Sequence, residues 1–561
     1  MCDGCGRRTS GGGEQERRSP ESADRLLTHM TGGQAVVAAL RAHGVKAVFG
    51  MPGVHNLALY DALCDSPEIR HIVVRHEQGA GFAADGYARA TGRPGVAITT
   101  AGPGATNALT AIAEAWSDSS PVVLIASHIE TAYVEQERGF AHELRGQLDV
   151  FQTATRFRAR PTRVAEVSST IGEAFAQAQR GRPRPVLVQI PQDVLNGSDD
   201  VHIADPEAAP RPRADTPLVR AAADMLARAH RPAIYAGVGV HRSGAHAELL
   251  EIAELLDAPV FTTAQGKGAL PEDHPLSVGN RWTGEAELVR LLSQSDVLLG
   301  VGTRFGATDT AQWQLQLPAA VIRIDADADE VERNVPAEVA LVGDAKMVLG
   351  QLLQALEGHR SGNSRRAEVQ TVMRTADAAA EEAWPEPIHF LRDLRAGLER
   401  DAIVFCDSLI QYWAARHFPV FAPRSIHLPW TFGTLGSSLP MAIGAKVAYP
   451  DRQVVTLCGD GALMFTLPEL ATAVQAGANI VIVVCNDRGY GAMRLHQQRR
   501  FGRFIASDLA TPDFAAVAEA FGARGISLQS PGELGPALAS AVAERRPVLI
   551  DVPLALSLPW R

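Results

Sequence analysis

The stretch VVTLCGDG, residues 454–461, is an apolar run that leads directly into a glycine-flanked aspartate, Asp460. The stretch IVIVVCND, residues 480–487, leads into Asn486 and Asp487 in the same way. Both runs have the length and composition of buried strands, so each polar group falls at the carboxyl end of a strand. Open parallel sheets bind their ligands at those ends.

The residues at these two strand ends have the chemistry of a metal and diphosphate site. Gly459 and Gly461 allow the backbone to approach a diphosphate, and the following helix start offers free N–H groups to it. Carboxylate and amide oxygens, together with those of a diphosphate, are the hard ligands that Mg²⁺ prefers. A GDG tripeptide alone indicates only a strand-to-helix turn. The second polar pair, Asn486 and Asp487, makes the metal–diphosphate site the stronger prediction.

Alternating strand and helix patterns extend outward from this region over most of the chain. Runs such as RHIVVRHE, GVAITTAGPG and PVVLIAS are separated by helical stretches, which is the pattern of parallel sheets with helices on both faces. Residues 197–216 and about 358–385 indicate linkers, the second of them partly helical. We therefore predict an α/β protein with three doubly wound parallel-sheet domains, at residues 30–196, 217–357 and 386–555.

Two glycine-rich turns in the second segment loosely resemble nucleotide-binding turns. They are AGVGVHRSG at 236–244 and GVGTRFG at 300–306. Neither forms a complete GxGxxG between a first strand and its helix, so the signal for a nucleotide is weak.

The composition excludes several classes of protein. The chain has 561 residues, 46% of them hydrophobic, and a net charge of −10, which disfavours nucleic acid and anionic membranes as partners. Its apolar runs are too short to cross a bilayer. Residues 1–29 are polar and lack the apolar core of a secretory signal, so we expect a disordered tail and a cytoplasmic enzyme. Cys2 and Cys5 form a lone CxxC pair in that tail, which is more often incidental than a zinc site.

The paired motifs resemble those of the thiamine diphosphate enzymes of the acetolactate synthase/pyruvate decarboxylase superfamily, from about residue 30 to 555. By that resemblance the cofactor is thiamine diphosphate, and Asp460, Asp487 and the carbonyl oxygen of Gly489 bind Mg²⁺. The family usually has Asn where this chain has Asp487, which keeps an oxygen ligand and adds a negative charge. The resemblance also implies contacts with the cofactor from a set of neighbouring residues: Gly459, Gly461, Asn486 and Tyr490.

The string RHEQGA, residues 75–80, followed by ADGYAR at 84–89, resembles the first domain of the same enzymes. Without the resemblance, Glu77 would be a helix-start residue favoured by the helix dipole. With it, Glu77 is the catalytic acid that binds N1′ of the aminopyrimidine ring and promotes formation of the ylid. Such a role needs a carboxyl whose proton affinity is raised by an apolar setting.

The string GTLG, residues 433–436, resembles the turn that bends the cofactor in this family. Leu435 would lie between the two rings and the Gly433 carbonyl would hold the 4′-amino group, whereas Leu435 alone would be interpreted as a core leucine. In this family the residues matching Glu77 and Asp460 come from different subunits. The resemblance therefore implies a homodimer or homotetramer with sites at the subunit interface.

The substrate is a 2-oxo acid by the same resemblance, but three positions depart from the biosynthetic acetolactate synthases. Ala141-His142-Glu143 stands in place of their Phe-Gln-Glu string, and His496 in place of a Trp. Residues 279–282, GNRW, replace their flavin-binding GMHG string, so we expect no FAD.

The strings PGVHN at 52–56, with His55, and RGYG at 488–491 are closer to 2-ketoarginine decarboxylases, as is the pair His142-Glu143. The carboxylate of Glu143 would suit a guanidinium end of the substrate. The alternative is a solvated or structurally paired Glu143.

Three functions remain open from the sequence. In a decarboxylase the enamine left after loss of carbon dioxide is protonated and an aldehyde is released. In a carboligase of the acetolactate synthase type the enamine attacks a second 2-oxo acid. A regulatory relative would bind the cofactor without turnover, which the presence of Glu77, Leu435 and Asp460 disfavours.

Overall fold

A computed structural model describes residues 27–207, 209–281, 285–360 and 364–559. Three six-stranded sheets, each with all strands parallel, follow one another along the chain. Each sheet carries helices and buried apolar side chains on both faces. The predicted class, an α/β protein with three doubly wound parallel sheets, is confirmed.

The first sheet has the strand order β3-β2-β4-β5-β7-β6, and a separate antiparallel pair joins β1 to β8. The strands are β1 Thr28–Thr31, β2 Ala47–Gly50, β3 Arg70–Val73, β4 Gly95–Thr99, β5 Val122–His128, β6 Phe157–Ala159, β7 Val186–Pro191 and β8 Ser198–Val201. The helices are α1 Gly32–Ala42, α2 Leu57–Cys64, α3 Glu77–Thr91, α4 Pro103–Ser117, α5 Gln147–Val150, α6 Val167–Gln179 and α7 Gln192–Asn196.

The central sheet has the order β11-β10-β9-β12-β13-β14. Its strands are β9 Pro232–Ala236, β10 Val260–Thr262, β11 Ser277–Gly279, β12 Val297–Val301, β13 Ala320–Asp325 and β14 Val339–Val342. Its helices are α8 Thr216–Arg228, α9 Val238–Ser243, α10 His246–Leu256, α11 Ala286–Ser293 and α12 Ala345–Ala355. Helices α13 Arg366–Ala383 and α14 Pro385–Ala396 lead to the third unit, so the second predicted linker is largely helical.

The third sheet has the order β16-β15-β17-β18-β20-β19. Its strands are β15 Ile403–Cys406, β16 Ile426–His427, β17 Val454–Gly459, β18 Val481–Asn486, β19 Arg524–Ser527 and β20 Val548–Pro553. Its helices are α15 Ile410–His417, α16 Ser438–Ala448, α17 Asp460–Thr466, α18 Glu469–Gln475, α19 Gly491–Phe501, α20 Phe514–Ala520 and α21 Leu534–Val542.

The first and third units pack closely against each other through α3 and α16. A Cβ atom at Gly86 of α3 would collide with the backbone of Met441, and one at Gly444 of α16 would collide with the backbone of Ala83. The two helix backbones therefore approach to a distance that only glycine permits. One continuous apolar cluster includes Phe82 on α3, Met441 on α16 and strands of both sheets.

The ends of the predicted segments differ in detail from the structure. Strand β1 begins at Thr28, inside the segment predicted as a tail, and its partner β8 lies inside the first predicted linker. Cys2 and Cys5, with residues 1–26, lie outside the described residues. Among the helices that the structure describes, not one combines the length and the apolar character needed to cross a membrane.

Candidate active site

The two acids predicted to bind a metal lie side by side at the carboxyl edge of the third sheet. Strands β17 and β18 are parallel neighbours, with Gly459 opposite Cys485, so Asp460 and Asp487 leave the sheet at adjacent positions. Asp460 is the first residue of α17 and is 1% exposed. Its Oδ2 atom accepts a hydrogen bond of 2.9 Å from the backbone N–H of Gly489, which fixes the loop after β18 against the acid.

The electrostatics of this pair are those of a cation site. Burial, and after it the neighbouring charge of Asp487, raises the pKa of Asp460 to about 6. Burial also raises the pKa of Asp487, against the opposing effect of Arg494. Two partly buried acids, one of which raises the pKa of the other, gain from a divalent cation between them.

The donor set fits Mg²⁺ and a diphosphate. Within the described part of the chain there is no group of three or more His, Cys, Asp or Glu side chains that could hold a metal. The site thus offers two carboxylates and backbone oxygens. Mg²⁺ usually accepts this arrangement, with one or two carboxylates and the remaining positions taken by phosphate oxygens and water.

A cavity of about 340 Å³ adjoins the two acids. It brings together most of the residues predicted to contact the cofactor, namely Gly433, Leu435, Gly459, Asp460, Gly461, Asp487, Gly489 and Tyr490. A Cβ atom at Gly461 would lie 2.9 Å from the ring of Tyr490, so a larger residue there would force the ring to move. Asn486 is not among the residues described as lining this cavity. Its amide instead donates to Asp551 Oδ1 at 3.0 Å.

The turn that contains Leu435 is held by two buried acids that the sequence did not reveal. Asp407 accepts hydrogen bonds from the N–H of Gly436 at 3.1 Å and from the hydroxyl of Ser438 at 3.0 Å. Glu114, on α4 of the first unit, accepts from the N–H and hydroxyl of Thr434 at 3.1 and 2.8 Å. Leu435 is half-buried and lines the cavity, so it is not the core leucine that composition alone would indicate.

Glycine is required at both ends of this turn. Gly433 and Gly436 have φ angles of 74° and 80°, in the left-handed region that side chains rarely adopt. The two glycines of GTLG are therefore required by the backbone conformation of the turn.

Glu77 is the first residue of α3 and is 9% exposed. Its Oε2 atom accepts a hydrogen bond of 2.9 Å from the amide of Asn107 on α4. A Cβ atom at Gly104 of α4 would lie 3.3 Å from the other carboxylate oxygen, so the absence of a side chain there leaves room for the acid. The carboxylate therefore lies beside Gly104 at the start of α4 and accepts a hydrogen bond from the amide of Asn107.

The start of α3 is anchored by the third unit. Glu469 of α18 is 1% exposed and accepts from the backbone N–H groups of Arg75 and His76, at 3.1 and 3.0 Å. Burial raises the pKa of Glu469, while the hydroxyl of Thr472, which donates at 2.6 Å, opposes that rise. Glu77 follows His76 directly, so this acid fixes the backbone that carries it.

The predicted site residues of the chain do not all line the cavity beside Asp460 and Asp487. Glu77 is not among the described residues that line the cavity beside Asp460 and Leu435. The predicted site residues therefore fall into two groups, here called half-sites: one around Glu77 and one around Asp460 and Asp487.

Two of the predicted substrate residues lie together. The rings of His55 and His142 have centroids 5.1 Å apart, and His142 has a φ angle of 63°. The carbonyl of His142 packs against Gly102, in the turn that leads into α4, where Gly104 lies against Glu77. The Nδ1 atoms of both rings are buried and have no hydrogen-bond partner among the described residues.

His128, which the sequence did not single out, belongs to the same region. It ends β5 and is 1% exposed, and neither ring nitrogen has a hydrogen-bond partner in the described structure. Burial lowers its pKa to about 4, and Arg160 contributes in the same direction. His128 is the last residue of a strand whose sequence is that of a buried core strand, so no sequence pattern marked it as a site residue.

Glu143 is engaged by the backbone of its own loop. Its carboxylate accepts from the N–H groups of Gly139, Phe140 and Arg138, at 2.6, 3.0 and 3.2 Å. Burial works against the charged form, but these donors outweigh it and hold the pKa of Glu143 below its ordinary value. His496 is exposed on α19.

A larger cavity of about 510 Å³ lies between the first and central units. Residues of both glycine-rich turns line it, including Gly237, Gly239 and Gly302. Asn280 and Arg281, in the string that replaces GMHG, are buried, and Trp282 lies outside the described residues. The absence of FAD stays a prediction from the sequence.

Comparisons with known proteins agree with this arrangement of three units. Residues 30–154 match the family model for the thiamine pyrophosphate enzyme N-terminal TPP binding domain, residues 219–352 the central domain and residues 409–552 the C-terminal TPP binding domain.

Several curated proteins are similar over nearly the full length. A probable acetolactate synthase large subunit of Methanocaldococcus jannaschii is 36% identical, over 93% of this chain and 92% of that protein. A probable 2-ketoarginine decarboxylase of Pseudomonas aeruginosa is 37% identical over 88% of each chain. The acetolactate synthase isozyme 3 large subunit of Escherichia coli is 33% identical, over 93% of this chain and 94% of that protein.

Proposed function

Because the chain belongs to the thiamine pyrophosphate enzyme family, we propose that it is a Mg²⁺-dependent decarboxylase of a 2-oxo acid. The observation that carries this proposal is the presence of both half-sites: the Asp460 and Asp487 pair beside a cavity of about 340 Å³, and Glu77 held by Asn107. Thiamine diphosphate, when bound by these residues, would supply a nucleophilic carbon and an electron sink for the loss of carbon dioxide.

The residues of the third unit would hold the cofactor and its metal. Asp460 and Asp487 would bind Mg²⁺, and Gly459 and Gly461 would let the backbone approach the diphosphate. Leu435, on a turn fixed by Asp407 and Glu114, would keep the rings of the cofactor in one relative orientation. The apolar residues of the cavity would exclude water from the reacting atoms.

Glu77 would exchange a proton with the aminopyrimidine ring. A carboxyl at this position must be able to share a proton, and it must not move during the exchange. The hydrogen bond from Asn107 and the anchoring of α3 by Glu469 supply that fixed position.

Two half-sites on one chain support a homo-oligomer. We propose a homodimer or homotetramer in which Glu77 of one subunit meets Asp460 of the other. Large apolar side chains are exposed beside both half-sites, Val54 and Leu57 near His55, and Phe465 and Met493 near Asp460. Such exposure is typical of a surface that a partner covers.

For the substrate we propose a 2-oxo acid with a cationic end, such as 2-ketoarginine. The similarity to a 2-ketoarginine decarboxylase supports this class. Glu143 supports it as well, because its three backbone donors keep the carboxylate ionised and immobile. The unpartnered nitrogens of His55, His128 and His142 would hydrogen-bond the carboxylate and keto oxygens.

The second candidate is a carboligase that joins the decarboxylated fragment to a second 2-oxo acid. The similarity to acetolactate synthases of comparable identity and coverage favours it. The two functions differ in their products: an aldehyde from the decarboxylase, and an acetohydroxy acid from the carboligase.

A panel of 2-oxo acids tests both candidates. Purified protein, supplied with thiamine diphosphate and Mg²⁺, should release carbon dioxide and an aldehyde from 2-ketoarginine more readily than from pyruvate. Removal of the metal with a chelator should abolish turnover, and Mg²⁺ should restore it. Formation of acetolactate from pyruvate as the preferred reaction would decide for the carboligase.

Glu143→Gln tests the recognition of the cationic end. The carboxylate would pair with the cationic end alone, so kcat/KM for 2-ketoarginine should fall several-fold while pyruvate turnover changes little. An equal loss with both substrates would assign Glu143 to the structure of its loop.

A further inference from the structure

Arg494, on the first turn of α19, lies against the loop that carries Asp487. Its guanidinium Nη1 atom is 3.6 Å from Asp487 Oδ2, and its Nη2 atom is 2.8 Å from Asp508 Oδ1. Glycines make room for this arrangement. A Cβ atom at Gly489 would collide with the guanidinium, and one at Gly491 would collide with the carboxylate of Asp487. The side chain of Arg494 is 26% exposed, so it is partly withdrawn from water.

The charge of this site needs compensation. Asp460 and Asp487 would carry two negative charges beside the cavity in which a diphosphate, itself an anion, would bind. Among the described residues, Arg494 is the cation that forms an ion pair with either acid. The separation of 3.6 Å is that of an ion pair, and no hydrogen bond joins the two groups in the described structure. The carboxylate of Asp487 therefore keeps its oxygens available for a metal.

We propose that Arg494 neutralises the second negative charge that Asp487 brings to the site, and thereby permits the diphosphate to bind beside two carboxylates. The proposal rests on the proposed function, and it concerns residues of this chain that the sequence motif does not include. Arg494 acts through Asp487 and is a positioning residue, not a catalytic one.

Removal of the guanidinium should affect the binding of the metal and the binding of the diphosphate differently. Without the guanidinium, the two acids attract a divalent cation as strongly as before or more strongly, whereas they repel the phosphate oxygens. If Arg494 instead contacted the diphosphate directly, removing the charge of Asp487 would not compensate for its loss.

The test is a cycle of three variants: Arg494→Gln, Asp487→Asn and the double variant. Binding of thiamine diphosphate is measured by calorimetry at saturating Mg²⁺, and binding of Mn²⁺ alone by electron paramagnetic resonance. Arg499→Gln is the matched control, because it removes an exposed arginine from the same helix. Arg494→Lys preserves the charge and Asp508→Asn removes the other partner of Arg494.

In Arg494→Gln we expect the affinity for thiamine diphosphate to fall at least about tenfold and the affinity for Mn²⁺ alone to stay level or rise. The double variant should bind thiamine diphosphate within about threefold of Asp487→Asn. Arg494→Lys, Asp508→Asn and Arg499→Gln should remain close to the wild type.

Two results would overturn the inference. One is an Arg494→Gln variant that behaves like Arg499→Gln, and the other is a double variant as weak as Arg494→Gln. Both leave the proposed function intact, since the wild type still binds the cofactor. A wild type that binds no thiamine diphosphate would remove the proposed function and this inference together.

Discussion

Glu77 acquires its surroundings from residues that are remote in the sequence. Asn107, thirty positions away, donates to its carboxylate, and Glu469 fixes the backbone just before it. The string RHEQGA singled out this carboxylate because the residues next to it in the chain carry the motif. It did not predict the partners, because hydrogen bonds between separate elements leave no local pattern.

We expect Glu77→Gln to retain the fold and the binding of thiamine diphosphate but to lose activity. A glutamine accepts the hydrogen bond from Asn107 but cannot exchange a proton, and such roles carry ~100- to 10,000-fold in rate. The measurement is kcat/KM together with the dissociation constant of the cofactor. Glu130→Gln, an exposed carboxylate of the same unit, serves as the control. Activity within about threefold of the wild type would move the acid–base role to another residue.

The position of Asp460 and Asp487 was easier to predict than the surroundings of Glu77. Asp460 and Asp487 each follow an apolar strand, so their position at the sheet edge follows from the two strands alone. The family resemblance assigned Asn486 to the cofactor, and that contact stays a prediction; in the structure its amide donates to Asp551. Which way a side chain faces at a strand end depends on the neighbouring strand β20, which lies sixty residues further along the chain.

Helix α3 is an element whose position depends on another domain. Its first turn bears the motif, but Glu469 of α18 holds its start and glycines bring it against α16. A Cβ atom at Gly79 would also collide with the carboxylate of Glu469. The sequence predicted the helix from its pattern. Its glycines are explained by close contacts with the third unit, which no pattern within the helix predicts.

We expect Glu469→Ala to lower both stability and turnover. The substitution leaves the N–H groups of Arg75 and His76 without an acceptor, and an unsatisfied buried donor costs about 1–3 kcal/mol. The midpoint of urea unfolding should fall, and kcat should fall because Glu77 loses its fixed position. Glu469→Gln retains one acceptor oxygen and should lie between the wild type and the alanine variant. Unchanged unfolding and kcat in the alanine variant would contradict this account of α3.

On the scale of the whole molecule, the two half-sites do not share one cavity within a chain. The side chains of Phe465 and Met493, beside the acids, and of Val54 and Leu57, beside His55, are 51% exposed or more. The fold class could be predicted from the alternation of strands and helices, because the alternation of each domain is contained in that domain's own sequence. The meeting of two half-sites between subunits could not be predicted in this way, because it depends on exposed surfaces and not on periodicity. It was suggested by the family resemblance alone.

A mixture of two inactive variants tests the pairing directly. Glu77→Gln damages one half-site and Asp460→Asn the other, so each homodimer has two damaged sites. If the site forms between subunits, a mixed dimer contains one site with both lesions and one site with neither. Random pairing after dissociation and reassociation should then restore about a quarter of the wild-type activity, because half of the dimers are mixed and each has one intact site. If each chain built its own site, no mixture would gain activity at all. Fluorescence energy transfer between the two variants, each labelled with a different dye, would show that the subunits exchanged, so that a failure to regain activity counts against the shared site.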